Sequence, residues 1–176
     1  QGFTKSGGPF HMAQLWVNLP AKFKTSTPTY QAIIDNDIPR VQLENDQGLV
    51  RVIAGEFKGH KGPARTFTPI NMWDMRLKAD ASVRLDLPEG HTTLLVVLKG
   101  RIVVNGTQEA GGSEIVSLSR EGARADVVAA SDTILLVLTG EPIDEPVVGY
   151  GPFVMNSMEE IEQTIQDYNN GVFETY

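Results

Sequence analysis

Thr92-Thr-Leu-Leu-Val-Val-Leu-Lys-Gly-Arg-Ile-Val-Val-Asn-Gly-Thr107 decides the fold class. Its first half, Thr92 to Leu98, is a continuous apolar run of strand length, which reads as a strand buried on both faces of a sandwich. Arg101 to Val104 is a second short run. It ends at Asn105-Gly106, the pair a type I′ hairpin turn demands because both central residues need positive φ. The same Asn with Thr107 also fits a glycosylation sequon, but no secretory signal is visible and the turn reading takes precedence.

Working outward, the flanking segments repeat the period of two. Trp73, Met75 and Leu77 alternate with Asp74, Arg76 and Lys78, the pattern of a half-buried strand. Val83, Leu85 and Leu87 do the same, and Leu49 to Ile53, Ile115 to Leu118, Ala125 to Ala129 and Thr133 to Leu138 complete the set. Many short strands separated by turns predict an antiparallel sandwich or closed barrel. Lys58 to Ala64, punctuated by Gly59, Gly62 and Pro63, reads as loop. Gln14 to Leu19 is a compact apolar strand stopped by Pro20, and Thr27-Pro28 predicts one or two helical turns through Ile34.

The end of the chain changes period. Ser157-x-x-Glu160 is a capping box, and Met158, Ile161, Ile165 and Tyr168 recur at helical spacing up to the cap residue Gly171. One amphipathic helix is predicted over residues 157–170.

Composition narrows the function classes. In 176 residues, 15 basic and 22 acidic side chains leave a net charge of −7. Phosphate binding needs a basic face, so nucleic acid is an unsuitable partner, as is an anionic membrane surface. No apolar run approaches the ~20 residues that span a bilayer. With no cysteine, thiolate nucleophiles, disulfides, thiolate zinc and iron–sulfur clusters are excluded, and a reducing, cytoplasmic location is expected. The first residue is Gln rather than Met, so a processed or truncated start is expected.

Candidate chemistry is sparse. His11, His60 and His91 are far apart and form no His-x-His pair, so each reads first as a solvated or hydrogen-bonded loop residue. Glu141, Asp144 and Glu145 could supply an acid–base pair, but Pro142 and Pro146 make the segment a stiff surface crossing. The mixed charges of Arg120 to Arg124 read as a solvated turn. No phosphate-binding glycine loop precedes a helix, and no Ser/His/Asp constellation is legible.

Three stretches are more specific: Gln14-Leu-Trp-Val-Asn-Leu-Pro20, Gly140-Glu-Pro-Ile-Asp-Glu-Pro146, and Gly151-Pro-Phe-Val-Met-Asn156 followed by the capped helix ending near Asn170-Gly171. In this order and spacing they resemble the pirin family, from about residue 8 to the end. The resemblance implies two cupin jelly rolls in tandem, with residues 48–146 as the C-terminal cupin. Residues 1–47 would then form a crossover whose strand 14–19 closes a first cupin, and residues 147–176 a helical tail. Pirins hold one metal, usually iron, in the first cupin through His-x-His and His-x-Glu pairs. In this chain the corresponding His-x-His slots fall near Asp86 and Pro88, and no His or Glu lies between Gly122 and Gly140. His91, with Asp86 or Glu89, is the weak remaining candidate, so no cofactor is expected in this chain and iron is expected in the absent first cupin. The implied functions of an intact pirin are flavonol (quercetin-type) dioxygenation and regulatory protein binding, and this half is expected to act as scaffold or binding module. Leu15, Trp16, Val17, Phe153, Val154, Met155, Ile161 and Ile165 are the expected interface, to a second copy as a homodimer or to an N-terminal cupin.

Overall fold

The computed structural model describes residues 5–8 and 12–173. They divide into two compact units: Ser26–Asp144, and the described residues of the flanks Gln1–Thr25 and Glu145–Tyr176.

The larger unit is a sandwich of two antiparallel sheets. Its strands are β1 (Arg40–Gln42), β2 (Gly48–Ala54), β3 (Glu56–Phe57), β4 (His60–Lys61), β5 (Ile70–Leu77), β6 (Ser82–Asp86), β7 (Thr92–Lys99), β8 (Arg101–Val104), β9 (Gln108–Gly111), β10 (Glu114–Leu118), β11 (Arg124–Ala129) and β12 (Thr133–Gly140). The first sheet has six strands in the order β1-β2-β5-β12-β7-β10, and the second has four in the order β6-β11-β8-β9. From β5 onward the chain crosses between the sheets at every step but the β8–β9 hairpin, and β12 returns between β5 and β7, the jelly-roll winding of a cupin. Met75, Leu95, Val97, Leu135 and Val137 from the first sheet meet Leu85, Ile102, Val104 and Val127 from the second, all fully buried. The mainly β, cupin-type reading holds.

The turn of the opening stretch forms as its residues require. Asn105 and Gly106 take φ of 50° and 73°, and Thr107 N–H closes the turn on Val104 O at 3.2 Å. The Asn105 side chain faces the neighbouring strand, its Oδ1 accepting from Asp126 N–H at 3.0 Å.

Several local expectations need correction. Thr92 to Leu98 is not equally buried on both faces: Thr93, Leu95 and Val97 are buried, while Leu94, Val96 and Leu98 are only half-covered. The sheet begins at Arg40 rather than Gly48, because β1 pairs with β2 through Arg40↔Arg51. The Lys58–Ala64 loop holds a tight hairpin, β3 with β4, turning on Lys58 and Gly59 at φ of 45° and 82°. Residues 27–34 are not helical. Thr27, Thr29, Ile33 and Ile34 are β-branched, and the Gln31 amide brackets the Arg65 backbone, accepting from its N–H at 2.8 Å and donating to its C=O at 2.9 Å. Helical hydrogen bonding appears instead as 3₁₀ turns at Ala21–Phe23, Asp35–Asp37 and Glu44–Asp46.

In the smaller unit, Gln14 to Leu19 forms no strand. A ladder needs a facing backbone, and none among the described residues pairs with it. This unit holds an unanticipated hairpin, β13 (Val148–Tyr150) with β14 (Phe153–Met155), and the helix α1 (Met158–Asn169). The Ser157 hydroxyl accepts from Glu160 N–H at 3.2 Å, but the Glu160 carboxylate reaches back to Asn156 N–H at 2.7 Å, one residue before the expected box partner. Glu159 is held below the ordinary carboxylate range, first by its own backbone N–H and then by the Ser157 hydroxyl. Gly171 at φ 73° ends the helix, with Val172 N–H on Asp167 O and Gly171 N–H on Tyr168 O, the two bonds of a Schellman cap. No helix of the described residues is long and apolar enough to cross a membrane.

Gly55 marks a close backbone approach. It has φ of 71°, and a Cβ there would lie 2.0 Å from Asn71 Oδ1 and 2.5 Å from Ile70 O. Gly59 shares the positive φ but would meet nothing within 4 Å. In urea unfolding, Gly59→Ala is expected to cost about 1 kcal/mol and Gly55→Ala about 2–3 kcal/mol. Equal losses would show that the contact with Asn71 carries no energy.

Candidate functional site

The mouth of the sandwich is where the ligand slots were expected. Leu85 is fully buried and Leu87 nearly so, so the pleat turns Asp86 between them outward. Asp86 lies 3.4 Å from Arg124 Nε, and both side chains are largely exposed. Pro88 has no donor atom to give, and Glu89 is exposed. His91 is half-buried just before β7, its Nδ1 3.5 Å from Thr139 Oγ1. His60 is an exposed residue of β4 whose Nδ1 faces Lys58 O at 3.1 Å, and His11 lies outside the described residues. Among the described residues, no three His, Asp or Glu side chains group as metal ligands would. Iron bound by imidazoles and a carboxylate needs such a group, so these residues do not fit the metal of the resemblance.

What the structure places at this mouth instead is a polar rung. Asn71, Thr139 and Thr93 stand side by side on β5, β12 and β7, in the same pleat phase as the buried Trp73, Val137 and Leu95. Glu56 N–H donates to Asn71 Oδ1 at 3.0 Å, and Asn71 Nδ2 donates to Thr139 Oγ1 at 3.0 Å. Thr93 and Thr139 are only 3% and 2% exposed. A cavity of about 80 Å³ opens beside this rung, walled by Leu87, Pro88 and Leu118. The sequence carried a signal for it: three polar residues occupy the inward phase of otherwise apolar strands.

A second feature, also not anticipated, is a charge network on the outer face of the six-stranded sheet. Arg51 on β2 donates to Asp74 on β5 at 2.5 Å and to Asp35 at 2.7 Å. Arg40 also pairs with Asp35, and Arg76 lies 3.5 Å from Asp74. The Asp74 side chain is 8% exposed, and its Oδ1 and Arg51 Nε find no partner among the described residues. Desolvation alone would raise the Asp35 carboxyl, but the Arg40 and Arg51 guanidiniums outweigh it and hold Asp35 below its ordinary 3.8. A depressed carboxylate stabilises the fold above its unfolded pKa, and that contribution disappears as pH falls through the folded value. Asp35 therefore contributes at neutral pH and ceases to do so in acid.

The expected interface residues lie in the smaller unit. Leu15, Trp16 and Val17 are exposed, Trp16 at 68%. With Pro152, Val154 and Met155 they line a groove of about 460 Å³. Lys24 Nζ braces it, donating to Asn18 Oδ1 at 2.8 Å and Val154 O at 3.0 Å. Phe153 is half-buried against Tyr168, with ring centroids 6.1 Å apart. The helix corrects one expectation: Ile161 is 1% exposed, covered within its own chain, and Ile165 is half-buried. The acidic group is structural. Glu145 accepts from Ala21 N–H at 2.7 Å and Asn156 Nδ2 at 3.1 Å, while Asp144 pairs with Arg120 at 3.5 Å.

Comparison with known proteins is consistent along the chain. Residues 72–174 match the family described as the Pirin C-terminal cupin domain. A Pseudomonas aeruginosa protein, provisionally named a quercetin 2,3-dioxygenase, is 49% identical over 171 residues, which are 97% of this chain and 59% of that protein. Pirin-1 of Arabidopsis thaliana is 34% identical over 168 residues, covering 89% of this chain and 56% of its own. The crystal structure of a quercetin 2,3-dioxygenase from Acinetobacter baumannii superposes with a TM-score of 0.86 at 49% identity, over 90% of this chain and 55% of that one. The chain thus spans about three fifths of the length of the curated relatives it matches.

Removing one member of a buried ion pair strands the other, whereas replacing both by apolar groups is often neutral. Arg51→Met is expected to cost about 3 kcal/mol, at the low end of the 3–5 range because Arg76 stays near Asp74. Arg51→Met with Asp74→Leu is expected to recover most of that loss in urea unfolding. A double variant as unstable as the single one would mean that the network acts through packing.

Proposed function

The chain belongs to the pirin family, and on that premise we propose that its sandwich is the metal-free C-terminal cupin of a two-cupin protein. In this reading it serves as scaffold or binding half to a first cupin that carries iron and the quercetin 2,3-dioxygenase-type chemistry. One observation supports it above the others: of the two expected ligand slots, Asp86 turns outward onto Arg124 and Pro88 has no ligating atom. The stretch of the relatives that this chain does not span leaves room for the first cupin. A cysteine-free chain suits a cytoplasmic setting.

Elemental analysis of the purified chain after dialysis tests the reading. Iron, nickel, copper and zinc are each expected far below one equivalent, with no oxygen consumption dependent on quercetin and added iron. Metal near one equivalent that is lost on His91→Ala would overturn it.

The exposed Leu15, Trp16 and Val17 support an assembly role for the smaller unit. Burying one such side chain is worth about 1.5–3 kcal/mol as an upper estimate, which favours covering this strip with the neighbouring cupin or, in the isolated chain, with a second copy. Light scattering is expected to find the isolated chain dimeric at micromolar concentration, and Trp16→Glu is expected to shift it to monomer. A monomer unchanged by that substitution would remove the strip from any interface.

A further inference from the structure

We propose that the cavity at the polar rung binds a small carboxylate, held by His91, Thr93 and Arg124. This is independent of how the chain assembles and requires no metal.

The hydrogen bonds fix the donors in turn. Glu56 N–H can only donate, so Asn71 must present Oδ1 to it and its NH₂ to Thr139. The Thr139 oxygen accepts from that NH₂ and keeps its own proton to give. Its other neighbour is His91 Nδ1 at 3.5 Å, which places the imidazole edge at the same end of the cavity. Thr93, itself 3% exposed, lines the cavity, and its hydroxyl has no hydrogen-bond partner among the described residues. That hydroxyl is free to meet a ligand oxygen in the cavity.

The lining decides the chemistry of the occupant. His91, Thr93, Asn105 and Ser119 can all donate, as can the terminal guanidinium nitrogens of Arg124, whose Nε lies 3.4 Å from Asp86 at the rim; Glu121 is the one acceptor-only side chain among the lining residues. The Asn105 Oδ1 is already occupied by Asp126 N–H, leaving its NH₂ as the free end. A donor-rich cavity suits an acceptor with several lone pairs, and a carboxylate has about four acceptor sites and no donor. Size decides the rest. A cavity of roughly 150 Å³ holds a benzene ring, and this one is about 80 Å³. It therefore takes a carboxylate of roughly three to four heavy atoms and not a fused-ring flavonol.

Titration of the full chain with acetate and with formate, followed by ¹H–¹⁵N correlation spectra, tests this. Saturable shifts at Thr93, Ser119 and Gly122 are expected, with acetamide at least tenfold weaker than acetate. Thr93→Val, which keeps the shape, is expected to weaken acetate about tenfold, as for loss of one hydrogen bond to a charged group. Acetate and acetamide binding equally, or acetate binding unaltered by Thr93→Val in a variant that remains folded, would overturn the proposal. So would the absence of any saturable shift with either carboxylate.

Discussion

Everything in the larger unit hangs on the pleat phase of two neighbouring strands at the heart of the six-stranded sheet, β7 and β12. Their register pairs Leu95 with Val137 and Val97 with Leu135, and all four side chains are fully buried. A slip of one residue would bring Leu94, Val96, Leu136 and Leu138 inside and send the core residues out. Both sets are apolar, so hydrophobicity alone does not choose between them. The polar ends of the strands do. In the observed phase Thr93 and Thr139 face inward beside Asn71, where hydrogen bonds are available to Thr139 from two directions. The rung that closes the core thus belongs to the same decision that builds it.

The β class of the chain was legible because its strands alternate cleanly and its turns carry the residues that positive φ requires. Asn105-Gly106, the Trp73-Met75-Leu77 phase and the Ser157 cap all sit where their chemistry demands. The failures share a physical cause. Gln14 to Leu19 has the composition of a strand, but a strand is a relation between two backbones, and sequence reports only one of them. Thr27-Pro28 has the opening of a helix, but the side chain of Gln31 is already engaged with a loop more than thirty residues away. The Arg51–Asp74 pair was hidden for a related reason. Asp74 occupies the polar phase of its strand, and only tertiary cover turns that position from solvated to buried.

For the candidate site, the sequence located a place rather than a chemistry. It placed the expected slots at Asp86 and Pro88, and the alternation of Leu85 and Leu87 around Asp86 accounts for the direction that side chain takes. It did not indicate that the same mouth would be lined with donors. Hydroxyl and amide groups in the inward phase look like imperfect core until their neighbours are known, and here those neighbours are one another. A site built to donate hydrogen bonds and a site built to hold iron make different demands. The first needs N–H and O–H groups facing one space, which Thr93 and its neighbours offer. The second needs three or more His, Asp or Glu side chains grouped together, and among the described residues there is no such group.

The two tryptophans of the chain occupy opposite environments, one in each unit. Trp73 is 2% exposed and lies edge-on to Phe57 at 5.0 Å, its indole N–H without a partner among the described residues. Trp16 is open to solvent. Indole emission follows the polarity around the ring, so the native protein carries two built-in fluorophores of different colour: a blue one reporting on the sandwich and a red, readily quenched one reporting on the segment before it. Covering the segment would shift only the red component, and melting the sandwich would shift the blue one. Association and unfolding, usually entangled in a single optical signal, are separable here without a label.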